Sequence, residues 1–80
     1  MAKPPRKNIV GRRVAEARMA AKPPLTQDAL SGKLARSGVQ LDRAAIAKIE
    51  NNLRRVLDYE VKALADALGV SIESLFEAGK

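Results

Sequence analysis

Eighty residues, 46% of them apolar, make one small domain with a core only just large enough to fold alone. The absence of Cys and His leaves no disulfide framework, no zinc-finger or iron–sulfur ligands and no His-dependent triad, and a single Tyr and Phe favour a helical bundle over a sheet sandwich. The formal charge of +6 is unevenly spread: residues 1–24 carry seven Lys/Arg against one acid, residues 25–57 six against three, and residues 58–80 two against five. A basic surface of this kind suits a polyanionic partner, or serves only to keep the chain soluble. No apolar run approaches the length of a membrane span, so no membrane partner is expected.

Residues 1–8 carry two prolines and three cations without an apolar pattern, and read as a flexible basic tail. No apolar stretch of the kind a secretory signal needs follows them. The folded domain is expected over residues 9–77. Its first helix spans Ile9 to Ala21, with Val10, Val14, Ala17 and Ala21 on one stripe and Asn8 as N-cap. Lys22-Pro23-Pro24 ends it, because the residue before a proline avoids the α region.

Thr26 caps the second helix, with Gln27 and Asp28 in its first turn and Leu30 and Leu34 facing inward. Ser31 and Gly32 are small, as close approach of a crossing helix would require. Ser37-Gly38 forms the turn. Asp42 caps a third helix running to about Asn51, with Ile46, Ile49 and Leu53 as its core stripe. Arg43, Ala44, Ala47 and Lys48 are left on its outside. Asp58 caps a fourth helix that buries Val61, Leu64, Ala65 and Leu68 and ends at Gly69. Ser71 caps a short fifth helix that buries Ile72, Leu75 and Phe76. Five helices without strands place the chain in the all-α class.

The stretch from Thr26 to Arg55 is the most informative. Two short amphipathic helices are joined by a turn, and the second is basic on its outer face. A helix-turn-helix needs this pattern if its second helix is to lie in a DNA groove. Double-stranded DNA is therefore the first partner to consider.

With Thr26-Gln27, Leu30-Ser31, Ile46-Ala47-Lys48-Ile49-Glu50-Asn51 and Ala63-Leu64-Ala65-Asp66-Ala67-Leu68-Gly69-Val70 in this order, the chain resembles the Cro/lambda-repressor-like helix-turn-helix family of XRE-type regulators. The resemblance covers about residues 9–76. It implies a compact five-helix lambda-repressor-like DNA-binding domain, usually a homodimer on a pseudo-palindromic operator. It also implies that helix 3, at about residues 42–51, enters the major groove.

By the same resemblance, Gln27 and nearby backbone amides grip a phosphate, and an exposed helix N-terminus suits that role physically. Arg43, Ala44 and Lys48 match the positions facing base edges. A guanidinium can give two hydrogen bonds to guanine O6 and N7, and a lysine can reach the same acceptors. A phosphate clamp for Arg43 and a solvated cation for Lys48 are the rival readings. Asn51, Arg54 and Arg55 match the loop that meets the DNA backbone, with surface solubility as the alternative for the two arginines. Arg18 and Glu50 match a structural pair bridging helix 1 to helix 3. The chain departs from the family where Ala35 replaces a glycine and the turn lengthens, and again where Asn52 replaces the glycine after helix 3. Asn is the next best residue for a left-handed conformation.

The sequence therefore points to a non-catalytic, sequence-specific transcriptional regulator, a repressor by expectation, cytoplasmic and nucleoid-associated. Helix 5 and the acidic end would be the natural dimer surface of such a regulator, and the alternative is a protein-interaction module, such as an antitoxin-like subunit whose main partner is another protein. No cofactor, metal or catalytic residue is expected. Gly32-Lys33 lacks the upstream glycine of a phosphate loop, and Leu34 stands where that loop needs Ser or Thr.

Overall fold

The computed structural model describes residues 6–77, so residues 1–5 of the expected tail lie outside the described residues. Among the described residues there are five α-helices and no strand: α1 (Gly11–Ala20), α2 (Gln27–Arg36), α3 (Arg43–Glu50), α4 (Asp58–Leu68) and α5 (Ile72–Phe76). None of them is long and apolar enough to cross a membrane. The central element is α4, which buries Val61, Ala63, Leu64, Ala65 and Leu68 and packs against α1, α2 and α5. The short α3 is held by α1 and α2. Val10, Val14, Leu30, Leu34, Leu41, Ile46, Ile49 and Leu75 complete one continuous core. Each fully buried Leu or Ile contributes about 1.5–3 kcal/mol.

Four of the helix starts follow from short polar side chains. Thr26 Oγ1 accepts from the Ala29 N–H (3.0 Å), Asp42 Oδ1 from Ala45 (2.8 Å) and Ser71 Oγ from Ser74 (3.2 Å). α1 begins at Gly11 and not at Ile9, and its N-cap is Val10 in place of the expected Asn8, whose Oδ1 accepts from both Val10 (3.1 Å) and Gly11 (2.8 Å) just ahead of the helix. The start of α4 differs from expectation. Asp58 is its first residue, Leu57 is the N-cap, and Glu60 reaches back to accept the Leu57 N–H at 3.0 Å. Glu60 therefore does the capping expected of Asp58, from the third position of the helix.

Three helices end in the same way. Gly38 (φ 83°), Asn52 (φ 61°) and Gly69 (φ 70°) are left-handed. In each case the following residue donates back to the helix: Val39 to Leu34, Leu53 to Lys48 and Val70 to Ala65. The left-handed residue makes the inner bond, to Ala35, Ile49 and Asp66 respectively. This is the Schellman arrangement, and Asn52 fills it where the other two ends use glycine.

Several expectations are corrected. α3 stops at Glu50, and the left-handed Asn52 turns Leu53 off the helical stripe, leaving it 59% exposed instead of in the core. In α5 only Leu75 is buried, and Ile72 and Phe76 stand about half exposed. Lys7 and Asn8 belong to the folded body and not to a tail: the Lys7 N–H bonds to the Asn52 carbonyl at 3.0 Å. Leu41, unassigned from the sequence, is a core residue that pins the long α2–α3 connection.

The close helix approach is also not where the small residues of α2 suggested. A Cβ added at Gly32 would meet nothing within 4 Å, whereas one at Gly11 would run into the Ile49 carbonyl oxygen at the end of α3. Gly32→Ala should therefore raise stability by about 0.5–1 kcal/mol, through better helix propensity and a less flexible unfolded chain. Gly11→Ala should lower it by about 2 kcal/mol, because the α1–α3 contact must open. Urea unfolding of the two variants checks both signs. A gain at Gly11 would mean that α1 does not approach α3 so closely.

Candidate nucleic-acid interface

Because Ile46 and Ile49 are fully buried, the outward side of α3 is fixed. Arg43, Ala44 and Lys48 are exposed there, Ala47 is half-buried between them, and Asn51 caps the end. At 100° per residue these five side chains form one stripe along the helix. The Arg43 guanidinium lies 3.9 Å from the Asp28 carboxylate, with both side chains about 70% exposed. Such a contact is weak and screened, so Arg43 keeps its donors for another partner. Asn51 turns its Nδ2 back onto the Ala47 carbonyl (2.9 Å).

The angle of α3 is set by one carboxylate. Glu50 Oε2 accepts from Arg18 Nε at 2.7 Å, and its Oε1 accepts from Arg18 Nη2 at 3.0 Å and from Gln27 Nε2 at 3.0 Å. Arg18 Nη1 also donates to the Leu25 carbonyl (2.9 Å). A side chain from α1, the first residue of α2 and the last residue of α3 thus meet in a site where the Glu50 side chain is only 8% exposed. Hydrogen bonding to Glu50 holds the Arg18 guanidinium above its ordinary value, against the opposing effect of desolvation. Glu50 stands at the negative end of the α3 dipole, so without the cation its charge would be disfavoured twice.

A second buried acid controls the loop after α3. Glu60, 4% exposed, accepts from Arg54 Nη1 (2.9 Å) and Nη2 (3.3 Å), and Arg54 also donates to the Arg55 carbonyl (2.8 Å). Burial pushes the Glu60 carboxyl up, but the Arg54 guanidinium and the Leu57 N–H outweigh it and leave the group below its ordinary value of 4.5. Arg54 is therefore committed inward, and the cation presented outward by this loop is Arg55, which is exposed.

Of the residues singled out from the sequence, Arg43, Ala44, Lys48 and Asn51 share one exposed stripe, and Gln27 adjoins it through Glu50. Arg55 follows the end of α3, and Arg54 departs from the set. The sequence reading did not include the Glu50–Gln27 bond or the Glu60–Arg54 pair. A glutamate three residues past an N-cap was the available signal for Glu60. Among the described residues no three His, Cys, Asp or Glu side chains gather into a metal-binding group. Compared with known proteins, the chain matches no protein-family model, no curated protein and no solved structure.

Arg54→Ala should destabilise the fold by about 2 kcal/mol at neutral pH, because a buried carboxylate loses its counter-charge. A depressed carboxyl contributes stability that is present above its unfolded value and is lost as pH falls through the folded one. The difference between Arg54→Ala and the parent should therefore shrink below about pH 4.5. Urea midpoints measured from pH 7 to pH 3 check this. A difference that does not change with pH would show that the arginine stem, and not its charge, stabilises the loop.

Proposed function

We propose that the protein is a sequence-specific DNA-binding transcriptional regulator of the lambda-repressor-like, XRE type. It places α3 in the major groove and acts without catalysis. The observation that carries this reading is the braced outer stripe of α3, with Arg43, Ala44, Ala47, Lys48 and Asn51 exposed or half-buried and no acid among them. A reading helix must hold its angle to the duplex, and the shared Glu50 carboxylate gives α3 a fixed angle to α1 and α2.

In this arrangement Arg43 and Lys48 meet base edges, and Ala44 allows close approach, fitting a thymine methyl. Gln27 keeps one amide hydrogen free after bonding Glu50, and the backbone N–H groups of the first α2 turn precede the i→i−4 ladder. Together they suit a phosphate oxygen. Arg55 and Asn51 take backbone contacts, and Arg54 acts indirectly by fixing the loop. A homodimer on a pseudo-palindromic operator, acting as a repressor in the cytoplasm at the nucleoid, completes the reading.

The half-exposed Ile72 and Phe76 on α5, with Tyr59 and Leu57 exposed on and beside α4, also favour a protein partner. That surface serves the second reading, an antitoxin-like interaction module. The two differ in their response to salt, since only phosphate contacts release counterions.

Selection from a randomised duplex library at two salt concentrations tests the proposal. The expected outcome is an enriched inverted repeat, bound more weakly as salt rises. Retention without enrichment would reduce the protein to a non-specific binder, and no retention would favour the protein partner. On the selected site, Arg43→Ala should cost about 1–3 kcal/mol and relax the preference at one base position. Arg55→Ala should weaken all sequences alike. Equal effects of the two on every sequence would overturn the base-reading role of Arg43.

A further inference from the structure

The Asn8 side chain makes five hydrogen bonds among the described residues, and the proposed function does not use it. Its Oδ1 accepts from Val10, Gly11 and Asn52 Nδ2 (2.9 Å), and its Nδ2 donates to the carbonyls of Ile49 (3.1 Å) and Arg54 (2.8 Å). Asn52 Nδ2 also reaches the Asn8 carbonyl (3.2 Å), and the Lys7 N–H bonds to the Asn52 carbonyl. The chain before α1 is thereby fastened along the segment that follows α3. The fastening brings Lys7 into one open cleft with Leu53, Arg54, Arg55 and Leu57.

Within that cleft the three cations differ. Arg54 is spent on Glu60. Lys7 and Arg55 are both exposed, and neither forms an ion pair with another described residue. These two cations stand on anchored backbone, in one cleft just past the end of a helix whose outer stripe is basic. An anchored lysine gives up less freedom on binding than one in a disordered leader.

We infer that Lys7 and Arg55 form a paired phosphate site, in which the segment before α1 joins the α3–α4 loop to hold two neighbouring phosphates of one duplex strand. The inference rests on the DNA-binding reading above and adds a contact that reads no base. The two cations neutralise neighbouring charge on one strand, so each adds about 0.9 to the slope of log affinity against log salt.

The test measures duplex affinity over a series of salt concentrations for the parent chain, Lys7→Gln, Arg55→Gln and Lys62→Gln. Lys62 sits on α4 in an exposed pair with Asp66 and serves as the control for net charge alone. Urea midpoints check that each variant is folded. Lys7→Gln and Arg55→Gln should each flatten the salt slope by about 0.9 while leaving sequence preference intact, and Lys62→Gln should leave the slope unchanged. Parent-like slopes in a folded Lys7→Gln variant would overturn the paired site and leave the DNA reading standing. Equal flattening by Lys62→Gln would also overturn it, by reducing the effect to overall charge. Failure of the parent chain to bind duplex at any salt would overturn both.

Discussion

The Glu50 carboxylate is the contact on which the arrangement of helices depends. α3 has eight residues and only two fully buried apolar side chains, which fix which side faces inward but leave its tilt against α1 and α2 to be set. The two bonds from Arg18 and the one from Gln27 supply the missing constraints, because hydrogen bonds are directional where apolar contacts are not. The ion pair itself adds little net stability over an apolar replacement, since both charges must be desolvated. What it provides is a single geometry. A change at Arg18 would tilt the helix that presents Arg43 and Lys48, although Arg18 itself lies inside the molecule.

A second constraint acts at the other end of α1, against the same end of α3. Gly11 lets α1 come against the Ile49 carbonyl, and Asn52 can turn left-handed directly after α3. Asn8 joins the two by bonding the first turn of α1, the Ile49 carbonyl and the Asn52 amide. The side chain that bonds the start of one helix therefore also holds the exit of another. Among the described residues no buried side-chain nitrogen or oxygen lacks a partner, which shows how fully these polar junctions are satisfied.

The two arginines after α3 show how adjacent, identical residues acquire different roles. Arg54 faces a carboxylate that sits at 4% exposure, and among the described residues its guanidinium is the cation that pairs with that buried charge. Arg55, one residue on, points to solvent with its donors free of acidic partners. The net charge of this loop overstates the positive surface it offers.

By itself the sequence determined the elements. Five helices, the capping residues Thr26, Asp42 and Ser71, the left-handed ends at Gly38, Asn52 and Gly69, and the buried sets in α2 and α4 all follow from local chemistry. Periodicity, short polar caps and tolerance of positive φ act within a few residues of one another. The outer stripe of α3 was legible for the same reason, since Ile46 and Ile49 define its inside. The tertiary structure alone decided which small residue admits a neighbouring helix, Gly11 and not Gly32, and which of two arginines remains free. It also decided that Gln27 is held by Glu50, that Leu53, Ile72 and Phe76 stay exposed, and that Lys7 lies beside Arg55. Most of these depend on residues from different elements meeting in space, and helix periodicity carries no information about which partner lies across a contact.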